Sequence, residues 1–145
     1  KPSNYVYTEN GKYLMDQKEV YLNKNSRIYY NGKILKGDKM YYNQLTGFGK
    51  ADGNVRLDDP KERRYIVGGY GEIYEKIDSS MITKNPYAVK IMNQDTAYIA
   101  AEKFLSYQKP DATKKKKSFF LLETMLRNQN LTNILSFLGC IWKIF

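Results

Sequence analysis

The sequence predicts an all-β, antiparallel sandwich or barrel, and three observations carry that expectation. Short runs rich in Tyr, Ile and Val fill the stretch from Tyr5 to about Tyr107. Gly, Asn and Asp punctuate them at roughly the 8–12-residue spacing that suits antiparallel sheets. No segment of that stretch sustains the 3.6-residue apolar period of a helix.

Taken in order, the expected strands are Glu19–Leu22, Arg27–Tyr30, Lys33–Lys36, Lys39–Asn43, Gly49–Ala51 and Asn54–Asp58. Arg64–Val67, Glu72–Lys76, Met81–Lys84, Tyr87–Met92, Thr96–Ala100 and Phe104–Tyr107 follow. The connections are Asn31-Gly32, Gly37-Asp38, Thr46-Gly47, Asp52-Gly53, Gly68-Gly69 and Asn85-Pro86. Asn-Gly and Asp-Gly favour hairpins because both central residues of a type I′ turn need positive φ. Gly68-Gly69-Tyr70-Gly71 lacks the Lys-Ser/Thr of a phosphate loop and reads as a bend or bulge within a strand, as does Gly47-Phe48-Gly49.

Alternation assigns faces. Met40 and Tyr42 share one parity, as do Ala51, Val55 and Leu57, while Lys, Asn and Asp occupy the other. A short internal echo links Gly37-Asp38-Lys39-Met40 to Ala101-Glu102-Lys103-Phe104, compatible with a repeated strand unit. After the Lys114–Lys117 run the composition changes. Leu122, Met125, Leu126, Leu131, Ile134, Leu135 and Leu138 recur at helical spacing, so a short C-terminal amphipathic helix is expected there. Residues 1–113 are thus expected to form the β domain and 114–145 a Lys-rich linker with an apolar tail.

Composition excludes much chemistry. The 145 residues suit one domain. A single Cys rules out an intrachain disulfide, and the absence of His removes the commonest general base and metal ligand. Ser-His-Asp and Cys-His sites on this chain are therefore excluded. The acidic pairs, Asp58-Asp59 and Glu72 with Glu75, read as a solvated turn and a strand edge. Cys140 lies in the apolar tail with no base to activate it. No enzyme, cofactor or metal is expected. The net charge of +9 points to anionic partners. Residues 1–113 carry 18 basic and 14 acidic groups, whereas 114–145 carry 6 and 1, so over half of the excess sits in the tail. A nearly balanced body argues against nucleic acid, although Tyr and Lys interleaved on strands could stack on bases.

From Lys36 the chain resembles the OstA/LptA-like family. The stretch Lys36-Gly37-Asp38-Lys39-Met40-Tyr41-Tyr42-Asn43, then Thr46-Gly47-Phe48-Gly49-Lys50-Ala51-Asp52-Gly53-Asn54-Val55-Arg56-Leu57-Asp58, is similar to its repeating strand–turn–strand unit. Asp95–Phe104 looks like the next unit, and with Tyr13–Tyr30 the resemblance covers roughly residues 10–107. It implies an open, V-shaped antiparallel β-jellyroll in the periplasm, associated with the outer membrane. It implies lipopolysaccharide as ligand, with other lipopolysaccharide-transport proteins or copies of the chain itself as partners through β-strand augmentation. Acyl chains would meet inward-facing Ile28, Tyr30, Met40, Tyr42, Ala51, Val55, Leu57, Tyr65, Val67, Val89, Ile91, Tyr98 and Phe104. Lys33, Lys36, Lys39 and Arg56 would line a phosphate rim. A structural scaffold with a packed interior is the alternative of the same architecture. The family pattern would continue with strands after Phe104–Tyr107, where this chain is expected to depart from it. There the sequence reads either as a shifted frame after the Lys run or as a terminal helix over an open end.

Overall fold

The computed structural model describes residues 4–109 and 117–123, the side chains of the latter segment and of 108–109 excepted. Thirteen strands are seen among the described residues, all paired antiparallel in one curled sheet. They are β1 (Tyr5–Tyr7), β2 (Asn10–Leu14), β3 (Glu19–Lys24), β4 (Ser26–Tyr30), β5 (Lys33–Gly37), β6 (Lys39–Asn43) and β7 (Phe48–Asp59). Then come β8 (Arg64–Tyr74), a 3₁₀ turn (Glu75–Ile77), β9 (Ser79–Thr83), β10 (Tyr87–Ile91), β11 (Thr96–Ala100), β12 (Lys103–Lys109) and β13 (Lys117–Glu123).

The two long strands, β7 and β8, are the spine. The C-terminal half of β7 pairs with β5, and its N-terminal half with β6. β8 does the same on its side, taking β10 along its N-terminal half and β9 along its C-terminal half. The sheet therefore folds into two facing halves that share only this spine. One half runs β1-β4-β5-β7-β8-β10-β11, and the other β2-β3-β6-β7-β8-β9-β12-β13.

Each half presents an apolar ladder to the other. In the first half, Val6, Ile28, Leu35, Leu57, Ile66, Ala88 and Ile99 stand opposite one another on successive strands. In the second, the ladder is Leu22, Met40, Ala51, Gly71, Ile82 and Phe104. All but Val6 are buried. The halves meet closely: a Cβ added at Gly49 would lie 3.2 Å from Ile28 Cδ1, on the facing half.

The spine bends at a bulge. Gly53 and Asn54 both have positive φ, and the register shifts so that these two β7 residues face Gly69 of β8 alone. Asp52-Gly53 was expected to close a hairpin, but it lies inside a continuous strand, as do Gly68-Gly69. By contrast Asn31-Gly32, with φ of 46° and 76°, forms the expected tight turn between β4 and β5.

Three further expectations change. β1 and β2 were not among the predicted strands. Lys117–Glu123, read as the start of an apolar non-strand tail, is β13 and pairs with β12 from Lys103↔Glu123 to Lys109↔Lys117. The sheet thus gains a further strand after Tyr107. The rest of the expected helix, with Cys140, lies outside the described residues. No helix among the described residues is long and apolar enough to cross a membrane.

Candidate binding site

Eight of the thirteen residues expected inside are inside. Ile28, Tyr30, Met40, Tyr42, Ala51, Val55, Leu57 and Phe104 are buried in one cluster between the two halves. The other five lie on the opposite face. Tyr65 and Val67 flank core Ile66, and their cross-strand partners are Asp58 and Arg56. Val89 and Tyr98 stand opposite Tyr65 and each other on that outer face. Tyr98 is 64% exposed and Ile91 42%. Val89 is buried nonetheless, covered on the outside rather than in the core cluster.

The physical reason is the bulge. One extra residue on β7 changes which parity of β8 faces in, from Ile73 and Gly71 to Gly68, Ile66 and Arg64. Tyr65-Ile66-Val67, Ala88-Val89 and Tyr98-Ile99 are apolar on both parities, so alternation alone cannot choose between them. Val20, Leu22, Leu35, Ile66, Ile73, Ile82, Ala88 and Ile99 complete the core and were not singled out in the sequence. Leu35 stands beside apolar Ile34, so alternation alone could not select it.

The buried side chains of the described residues form one continuous cluster. A one-water-sized space, about 10 Å³, lies at the end lined by Lys33, Asp59, Arg64, Ser80 and Ser106 with Leu57 and Ile66. This end is polar and tightly tied. Arg64 donates Nε and Nη2 to Asp59 Oδ2 at 3.2 and 3.1 Å, both side chains nearly enclosed. Asp59 is therefore not the solvated turn expected for Asp58-Asp59. Lys33 donates to Asp78 Oδ1 at 2.7 Å. The Tyr30 hydroxyl is buried without a hydrogen-bond partner of ordinary geometry, and burial, then the nearby Asp78 charge, push its pKa up. Glu75 is likewise engaged, accepting from the Tyr42 hydroxyl and from Asn4 Nδ2.

The four expected rim cations do not gather. Lys33 is at the polar end of the interior. Lys39 is exposed on the second half, opposite Asp52. Lys36 and Arg56 are neighbours on the outer face of the first half, and both hold Asp58 at 2.7 Å. Among the described residues no cluster of three or more carboxylate or thiol ligands could hold a metal.

No family model matches the chain, and no curated protein matches it. Among solved structures it is similar to LptH, the LptA homologous periplasmic component of the conserved lipopolysaccharide transport device from Pseudomonas aeruginosa. The match has a TM-score of 0.59 at 12% identity and covers 84% of this chain and 99% of that one. The fold is the LptA-like β-jellyroll. At that identity the likeness establishes architecture, and the jellyroll agrees with the fold expected from the Lys36–Asp58 resemblance.

Proposed function

We propose that this chain is a non-catalytic lipopolysaccharide-binding module of the periplasmic transport bridge to the outer membrane. The supporting observation is the match to a lipopolysaccharide-transport component over 99% of that component's length. The physics of the interior supports the same reading. Two apolar ladders face each other along the whole sheet, and the halves are joined only through β7 and β8. Acyl chains enter by easing apart the facing ladders between the β3–β4 and β5–β6 crossings and the spine, replacing side-chain contacts with equivalent apolar contacts. Such an exchange of one apolar surface for another conserves most of the hydrophobic stabilisation, roughly 25 cal/mol per Å². Partners pair through edge strands, of which β11 is one, bonded among the described residues only to β10.

The near-complete burial of the described core cluster favours a second reading, a scaffold whose core never opens. Titration of the full chain against a fluorescent lipopolysaccharide analogue, with unlabelled competitor, separates the two. The carrier reading expects saturable binding, weakened at least tenfold by Ile99→Asp in a protein that keeps its β circular dichroism. Val55→Asp at the centre should weaken it further if that variant folds. A folded chain that does not bind, or binds equally well as Ile99→Asp, overturns the carrier reading.

A further inference from the structure

The outer face of the first half carries a row of like charges. Arg27 on β4, Lys36 on β5 and Arg56 on β7 stand directly opposite one another. Their sequence neighbours Ile28, Leu35 and Leu57 point into the core, so all three cations project outward. Strands lie about 4.8 Å apart, so the row is about 10 Å wide. Like charges directly opposite in a sheet destabilise it.

The nearby carboxylates do not neutralise the row. Asp58 serves both Lys36 and Arg56, at 2.7 Å each. Glu9 is engaged by Lys24 at 3.5 Å and by Asn25 Nδ2 at 2.7 Å. Asp38 accepts from Asn54 Nδ2 at 2.8 Å. Arg27 has no carboxylate within ion-pair distance among the described residues. Its guanidinium lies 6.0 Å from the Tyr7 ring.

The row opens onto a concave feature. A cleft of about 370 Å³ is lined by Asn23, Lys24, Asn25, Ser26, Arg27, Lys36, Asp38 and Asn54. It sits where the chain crosses between the two halves: at β3–β4, at β5–β6, and at the β7 bulge. The Arg27 guanidinium and the Lys36 and Lys24 ammonium groups line this polar, solvent-open space, while the Asn25 and Asn54 amides donate to Glu9 and Asp38. Arg27 supplies a planar fork and Lys36 a point charge, the pairing suited to a tetrahedral dianion.

We propose that this cleft is a phosphomonoester-binding site, with Arg27 and Lys36 as the anion-contacting residues and Lys24 and Asn54 at its mouth. The proposal deepens the carrier reading and rests on it only for the source of the phosphate. A lipid headgroup and a soluble sugar phosphate share this chemistry.

The test uses the full chain and amide ¹H–¹⁵N spectra titrated with glucose 1-phosphate, with glucose as the uncharged control. Saturable shifts confined to residues 24–27, 36–38 and 54 are expected with the phosphate and none with glucose. Arg27→Gln and Lys36→Gln should each weaken the midpoint at least fivefold, while Lys61→Gln on the β7–β8 turn leaves it unchanged. Arg27→Gln should also melt at the same or a higher temperature without ligand, because it removes one of the opposed charges. A structural arginine would give the reverse. Repeating the lipopolysaccharide titration with Arg27→Gln assigns the source: weakening there identifies the lipid headgroup, and weakening only toward glucose 1-phosphate identifies a soluble phosphomonoester. Shifts that spread linearly over all exposed lysines, or equal affinity in wild type and both variants, overturn the proposal. Ile99→Asp tests the apolar interior separately, so failure of one idea is distinguishable from failure of the other.

Discussion

The same chain path occurs twice in this molecule, with different cover. In the first unit β3 leads into the β4–β5 hairpin, and β6 returns to pair with β3. In the second, β9 leads into the β10–β11 hairpin, and β12 returns to pair with β9. The corners before the return strands are Gly37-Asp38 and Ala101-Glu102, the two segments that echo each other in sequence. The large residues that follow by two positions, Met40 and Phe104, take part in the same core ladder. The first hairpin is sealed on both sides, by β1 with its stacked Tyr5–Tyr29 rings and by β7. The second is sealed on one side by β8, and β11 is left with its outer edge unpaired among the described residues. One topology thus gives a clamped unit and a looser one, and cover rather than path sets the difference.

The largest expected contrast lies in the two hairpin cores. Leu35 is fully buried in the first unit, whereas Ile99 is 8% exposed on the edge strand. Leu35→Ala should destabilise by about 3–5 kcal/mol and Ile99→Ala by about 2 kcal/mol or less. Urea titrations of both variants measure this, and equal losses would break the comparison.

The corners come next. A Cβ at Gly37 would sit 2.8 Å from Ala51 Cβ, so Gly37→Ala should cost about 1–3 kcal/mol through overpacking. Ala101 already has its methyl group packed on the core, and Ala101→Gly should cost about 1 kcal/mol or less. Hydrogen exchange sharpens the contrast further: amides of β11 should exchange before those of β5.

The smallest effect is alkaline. Burial, followed by the Glu75 hydrogen bond, raises the Tyr42 pKa, and burial raises that of Tyr30. On β8, burial and then Glu72 push Tyr70 to about 12. The neutral phenol is the form that folding favours, so this stability is intact below about pH 10, the unfolded value. It is lost as pH rises from there through 12 and above. Tyr30→Phe should blunt the loss and be neutral or stabilising at pH 7, because its hydroxyl makes no good hydrogen bond to forfeit. Melting temperatures across pH 9–12 would show it, and an unchanged slope would count against burial as the cause.

Much of this was legible in the sequence, and the differences trace to strand length, facing and the path of the chain between halves. Strand identity followed from composition and turns, because Asn31-Gly32 and the Met40/Tyr42 alternation each admit one reading. Strand length did not. Asp52-Gly53 has the chemistry of a hairpin turn, yet β6 and β8 hold β7 extended through it, and the turn residues serve a bulge instead. That bulge reverses the facing of β8, which is why Tyr65 and Val67 were expected inside. β13 escaped notice because Lys117–Glu123 reads as an unalternating apolar run, which a strand covered on both faces and a helix share. The expected rim cations are spread over the sheet for a different reason. Lys33, Lys36, Lys39 and Arg56 are close in sequence, but β5 and β6 belong to different halves, and the chain carries Lys39 away from Lys36 at the Gly37 corner.

The shared spine also sets an order of events. β7 and β8 are joined by the short turn at Pro60–Arg63, so their pairing closes only a small loop. Either flanking unit, by contrast, must bring its first and last strands together across an intervening hairpin. The long hairpin can therefore form early and serve as the template on which both units assemble. Substitutions at Leu57 and Ile66 should then slow refolding, while Ile99→Ala mainly speeds unfolding. A molecule whose halves must part to admit a ligand would thus be built around the one element that forms first and separates last.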